Sequence, residues 1–301
     1  MLKIFFFHLL TIALFAEHLI VPIPINNTYN KKKALLGKEL FSEKNLSTSL
    51  NLACIDCHNL FDDDKISTLI KKTQFNPPTV MNAVYNYKLF WDGRVSSLEE
   101  QVRETLESNF SNKNEEKLYI NLLKSKYENK FKKIYKDGFL LDNIIDAIVE
   151  FEKALTTPNS RFDKYLKGEI NALNQEELIG YEIFKAKGCM ACHNGVNMGG
   201  NAYSKLEITN NEESIYKGCY GNIFNARKTI YSKVPSLRNV SLTGPYFHNG
   251  SVVKLDEAIK QASLLALRRE LSTNDISSLT IFLKTLKGEK PVILNENIDD
   301  Q

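Results

Sequence analysis

The pentapeptide Cys-x-x-Cys-His occurs twice, as "CIDCH" (Cys54, Cys57, His58) and as "CMACH" (Cys189, Cys192, His193). Two thiols three residues apart, on a turn entering a helix, can each add to one vinyl group of a haem, and the adjacent His then aims its imidazole at the iron. A zinc site needs four neighbouring ligands, and each motif supplies at most three. A thioredoxin-like redox pair needs no His and sits beside a βαβ pattern, which this chain lacks. The spacing therefore predicts two covalent c-type haems, on Cys54 and Cys57 and on Cys189 and Cys192, with His58 and His193 as axial ligands. Cys219, the fifth cysteine, reads as a buried free thiol.

The N-terminus bears on where such chemistry takes place. "MLKIFFFHLLTIALFA" carries one early Lys and then an apolar run too short for a bilayer span, and reads as an export signal over residues 1–16. An uncleaved anchor reaching to about residue 24 is the alternative, burdened by Glu17 and His18. The expected compartment is the periplasm. Disulfides are the usual use of cysteine in an exported chain, but the paired motifs claim four of the five. A net charge of +3, with "KKK" at 31–33 as the single basic run, gives nucleic-acid binding no support.

The motifs belong to a longer internal repeat. "GKELF" (37–41) precedes the first and "GYEIF" (180–184) the second, each reading as an amphipathic helix that delivers the chain to its haem. The second of these helices starts with a capping box, Asn174 and Glu177. "LDNIIDAIVEFEKALTTP" spaces its apolar residues as a buried helix ending before Pro158. A last helix opens at Ser272 and runs to Lys287, before Gly288. With strand alternation scarce, the expected fold is mainly α: two cytochrome c-like helical domains, over 30–165 and 166–290, followed by a tail over 291–301.

The segments "NPPTVMNA" (76–83), "FWDGRVSSLEEQ" (90–101), "TTPNSRFDKYLKG" (156–168), "CHNGVNMGG" (192–200) and "KVPSLRNVSLTGPYFHNGSV" (233–252) resemble those of the bacterial di-haem cytochrome c peroxidases and MauG-type enzymes. The resemblance runs from about Leu35 to Lys290. It implies that the haem on His58 is the peroxidatic centre, that the haem on His193 takes electrons from a small cytochrome c or a copper protein, and that Trp91 lies between them. It further implies a calcium ion held by Asn76, Thr243 and Pro245, a set of oxygen donors that suits calcium. Asp92, Arg94 and His248 are expected beside haem propionates or at the domain contact, and a homodimer is common among family members.

Three departures matter. Family members often carry a His in the loop after the first haem motif; here no His lies between His58 and His193, and Met81, the one Met before Met190 in that span's first half, sits in a packing motif. An open position on the first iron follows, which is what peroxide needs. Second, the acid–base Glu expected ten residues after Gln101 is Ser111, leaving Glu107 as the nearest substitute carboxylate. Third, the position of the second iron's axial Met is Ala262, and Met198 is the remaining Met near that motif. The expected activity is reduction of hydrogen peroxide with electrons from a small donor, using Gln101, Trp91 and Glu107. A MauG-like oxidase of a protein substrate and a di-haem electron carrier or sensor are the alternatives.

Overall fold

A computed structural model describes residues 19–46, 52–58, 60, 76–108, 112–207 and 229–298. The expected export signal, Ser111 and Cys219 lie outside the described residues. Within them the chain is mainly helical. Its α-helices are α1 (Lys31–Phe41), α2 (Cys54–Cys57), α3 (Leu98–Glu107), α4 (Lys113–Ile134), α5 (Leu141–Ala154), α6 (Arg161–Leu166), α7 (Gln175–Ala186), α8 (Leu255–Leu267) and α9 (Thr273–Lys284). Strands β1 (Tyr203–Glu207) and β2 (Thr229–Lys233) form an antiparallel pair with Tyr203 opposite Lys233.

Apolar side chains gather in two cores. The first runs from Ala34 to Leu155 and the second from Phe162 to Leu286, so the division falls within the "TTPNS" stretch and α6 packs with the second half. Each core is organised by a crossing of two helices: α1 on α5, and α7 on α9. At each crossing a glycine meets a backbone carbonyl. A Cβ on Gly37 would lie 1.9 Å from the Ala147 oxygen, and one on Gly180 would lie 2.1 Å from the Ser278 oxygen. The aromatic contacts repeat as well: Phe41 meets Phe151 and Phe184 meets Phe282, both with ring centroids 5.3 Å apart.

Replacing Gly37 or Gly180 by Ala is therefore expected to destabilise, although Ala is the better helix former by about 1 kcal/mol. The helices must separate to admit the methyl group, an overpacking cost of about 1–3 kcal/mol. Denaturant unfolding of the haem-loaded protein measures the balance.

Behind each crossing a second repeated device closes the half. Asn82 and Asn239 both adopt φ 60°, ψ 16° and each opens a 3-10 turn, Ala83–Tyr85 and Val240–Leu242. Their backbone N–H groups donate to Leu155 and Leu286 carbonyls. Their side-chain amides both donate to the one Thr157 hydroxyl, at 2.7 and 2.8 Å, which ties the halves at a shared atom. The two ends of the chain cross over. Ile20 packs in the second core and Ile293 in the first, where Lys38 Nζ also donates to the Ile293, Leu294 and Glu296 carbonyls. The segment 291–298 is thus docked on the first half.

Candidate functional site

The first Cys-x-x-Cys-His motif is a single helical turn. The Asp56 carboxylate accepts from the Ala53 N–H at 2.9 Å, and the His58 N–H donates to the Cys54 carbonyl at 2.8 Å. In the second motif Cys189–Ala191 form a 3-10 turn, and the His193 N–H donates to the Cys189 carbonyl at 3.0 Å. Cys54, Cys57, Cys189 and Cys192 form no disulfide. Both turns place the thiols and the imidazole next to one another without a covalent bond between the cysteines.

The imidazoles are set by the same device. His58 Nδ1 lies 3.0 Å from the Pro78 carbonyl, and His193 Nδ1 lies 3.1 Å from the Met198 carbonyl. A carbonyl only accepts, so Nδ1 carries the proton and Nε2 keeps its lone pair for a metal. Burial pushes both imidazoles below the usual His range, His193 to about 4. Both are neutral at pH 7. Among the described residues no group of three His, Cys, Asp or Glu side chains converges on a metal position.

A junction is built from both halves. The Trp91 indole N–H donates to the Asn76 carbonyl at 2.9 Å, and its ring meets His248 edge-on at 6.4 Å. The Asn76 amide donates to the Pro245 and Phe247 carbonyls, both at 2.7 Å, and its backbone N–H donates to the His248 carbonyl at 2.8 Å. Trp91 and His248 occupy equivalent places in the repeat. Each follows a Phe with positive φ (Phe90, 61°; Phe247, 65°), and each lies within a short antiparallel bridge, Leu89 to Val95 and Tyr246 to Val252. Bulky residues rarely hold positive φ.

Residues 31–171 match the di-haem cytochrome c peroxidase family. A cytochrome c551 peroxidase of Nitrosomonas europaea is 38% identical over 292 residues, which cover 92% of this chain and 86% of the relative. The chain belongs to the di-haem cytochrome c peroxidase family. A second cytochrome c551 peroxidase, from Pseudomonas aeruginosa, is 35% identical and covers 92% of this chain and 86% of its own. Among solved structures, a MauG-like protein associated with microbial copper homeostasis shares the fold with a TM-score of 0.70 at 21% identity, covering 90% of this chain and 93% of that one. Membership in a di-haem cytochrome c family implies two c-type haems.

Against that family frame, the other expected site residues divide. Gln101 sits half-buried on α3, and its amide donates to the Thr105 hydroxyl at 3.0 Å. Glu107 is separated from Gln101 by about 120° around α3, given the 100° per residue of a helix. Its side chain is 44% exposed and faces Arg103, which donates to Asp142 at 2.8 Å. The structure does not bring Glu107 onto the face that carries Gln101. Arg94, expected beside a propionate, is held by Asp92 at 2.8 Å and Glu104 at 2.6 Å and stacks on Phe90. Met81 is packed in the first core, Met198 is fully buried on the His193 side, and Ala262 is exposed on α8. Sequence reasoning passed over Glu152. It is a buried carboxylic acid on α5, where the helical apolar pattern was read as packing alone.

Proposed function

We propose that the chain is a periplasmic enzyme that reduces hydrogen peroxide to water with two electrons from a small cytochrome c or copper protein: H2O2 + 2 H+ + 2 e− → 2 H2O. Bound haem supplies the redox-active iron at which the O–O bond is cleaved. Cys54 and Cys57, and Cys189 and Cys192, fix one haem each through thioether bonds. His58 and His193 offer Nε2 to the irons, oriented by Pro78 and Met198. The observation that carries this reading is the duplicated imidazole–carbonyl contact behind two Cys-x-x-Cys-His turns, within a chain 38% identical to a named cytochrome c551 peroxidase.

Gln101 is the polar group of α3 assigned to orient peroxide, and Trp91 is assigned to the path between the haems. Asn76 with the Thr243 and Pro245 carbonyls is the proposed calcium site. The donors suit the ion if the Asn76 amide turns over, since its NH2 now faces the Pro245 carbonyl. With neutral oxygens alone, such a site binds through ligand number and not through charge. No described helix is long and apolar enough to cross a membrane. Export and dimer formation are carried over from the N-terminal sequence and the family.

Two variants separate the residues of α3. Gln101→Ala is expected to lower kcat by about a hundredfold, the scale of losing one oriented donor. Glu107→Gln is expected to leave kcat within about twofold, because the carboxylate faces solvent and Arg103. To test the function itself, the haem-loaded protein is mixed with peroxide and a reduced small c-type cytochrome. Two cytochromes oxidised per peroxide supports the reading. Peroxide consumed without cytochrome oxidation overturns it in favour of oxidation of the protein or of a protein partner.

A further inference from the structure

The two halves differ at one buried position beside the haem motifs. The contacts already described align α5 with α9: Ala147 with Ser278, Phe151 with Phe282, and Leu155 with Leu286. In that register Glu152 matches Leu283. Glu152 is 3% exposed and Leu283 is 5% exposed, so one half buries a carboxyl where the other buries a methyl pair. Among the described residues, Glu152 Oε2 has no hydrogen-bond partner.

The carboxyl lies beside the first haem motif. Burial pushes the Cys54 thiol up to about 12, and the Glu152 charge adds to it ahead of Cys57 and Asp56. The adjacent Phe151 packs on Phe41, whose ring centroid is 6.2 Å from that of His58. Cys189, the equivalent thiol of the second motif, is raised by burial and by Cys192, with no carboxylate involved. Burial alone raises Glu152 to about 8.

Among the described residues, the charged groups of the neighbouring elements are paired elsewhere. On α1, Lys33 pairs with Asp146, Lys38 with the carbonyls of the docked tail, and Glu39 with Lys130. On α3, Arg103 pairs with Asp142 and Glu104 with Arg94. On α5 itself, Glu150 pairs with Lys153. Two other titratable groups of the first half are His58, neutral at pH 7, and Tyr85 on the 83–85 turn, whose buried hydroxyl has no partner among the described residues and is raised by burial.

We propose that Glu152 couples reduction of the first haem to uptake of one proton, and that the second haem lacks this coupling because Leu283 stands in the equivalent place. The inference rests on the reading that the first haem is bound at Cys54, Cys57 and His58. A buried carboxylate without a partner is costly unless a positive charge lies near it. Ferric haem carries one net positive charge at its core and ferrous haem carries none. One electron arriving at the iron from the donor removes that charge, and the carboxylate takes one proton from solvent. No other bond forms or breaks.

The test is a spectroelectrochemical titration of both haems in the full, haem-loaded protein across pH, in the unaltered chain and in Glu152→Leu and Glu152→Gln. The expected result is a first-haem midpoint that falls with pH by up to about 59 mV per unit, the tenfold step for one electron. Both variants are expected to flatten that slope and leave the slope of the second haem unchanged. A first-haem slope that persists in both variants overturns the proposal, as does an equal change at both haems. Mass analysis of the haem peptides comes first: no haem on Cys54 and Cys57 overturns the reading of the site, whereas haem present with an unaltered slope overturns the role of Glu152 alone. Should neither variant fold, infrared difference spectra of the unaltered chain still decide. A carboxylic acid band that grows on reducing the first haem supports the proposal, and its absence overturns it.

Discussion

His58→Ala is expected to cut peroxide turnover by more than about a hundredfold, since loss even of a supporting contact to a metal-bound His typically costs about 10–100-fold. The haem should remain attached, because Cys54 and Cys57 are untouched and hold it covalently. The variant therefore separates attachment from ligation. The His58 ring is placed by the Pro78 carbonyl on one side and the Phe41 ring on the other, with centroids 6.2 Å apart. An Ala leaves that space to solvent or to a small ligand. Haem content per chain, the absorption spectrum and the steady-state rate are the three readouts. Full haem content with a changed spectrum and lost activity is the expected combination. Retained activity would remove His58 from the peroxidatic role. The companion His193→Ala should preserve peroxide binding at the first haem while slowing the delivery of electrons.

Arg238→Met is expected to reduce folding stability by about 3–5 kcal/mol, the range for breaking a buried ion pair from one side. Arg238 and Asp163 are both fully buried and meet at 2.8 Å. The pair does more than satisfy itself. Arg238 Nε donates to the Val196 carbonyl and Nη2 to the Val21 carbonyl, both at 3.0 Å, while Asp163 accepts from the Ile23 N–H at 3.2 Å and the Ser160 N–H at 3.1 Å. The N-terminal segment 20–23 is thus held on the second core by this pair together with the Ile20–Gly195 bridge. Removing the guanidinium leaves a buried carboxylate and two carbonyls without their donor. Asp163→Asn should cost less, because an amide oxygen still accepts from Ile23. The double variant should cost less than the sum of the single ones, since neither charge is then left alone. Denaturant unfolding gives the energies, and limited proteolysis near residues 19–25 reports whether the segment has come free.

The site was legible in the sequence where its chemistry is local. A Cys-x-x-Cys-His turn specifies its thiols and imidazole within five residues, and the helix starts at Asn174 and Ser272 are set by side chains three residues on, Glu177 and Asp275. The helix from Leu141 likewise ends at Ala154, ahead of Pro158. Tertiary contacts rewrote the rest. The last helix ends at Lys284 and not at Lys287, because the Leu286 carbonyl is taken by the Asn239 N–H and the Gly288 N–H by the Asn239 side chain. The crossing of the chain ends has no local signal at all: Ile20 and Ile293 look like ordinary apolar residues until the opposite cores claim them. Glu107 looked available because spacing along a sequence says nothing about the 120° that separates it from Gln101 around the helix. Glu152 was hidden for the converse reason, a charged residue inside a buried helical stripe that only comparison with Leu283 makes conspicuous.

The absence of any His between His58 and His193 leads to one decisive experiment. Fully oxidised, haem-loaded protein that has never been reduced is mixed with peroxide and a reduced small cytochrome c, and its initial rate is compared with that of a sample first reduced at the second haem. If no group of this chain covers the first haem site, the oxidised protein would turn over at once, with equal initial rates and no lag. A lag abolished by prior reduction would show that a group of this chain covers the first haem site and must leave, contrary to the open position that the missing His leads one to expect.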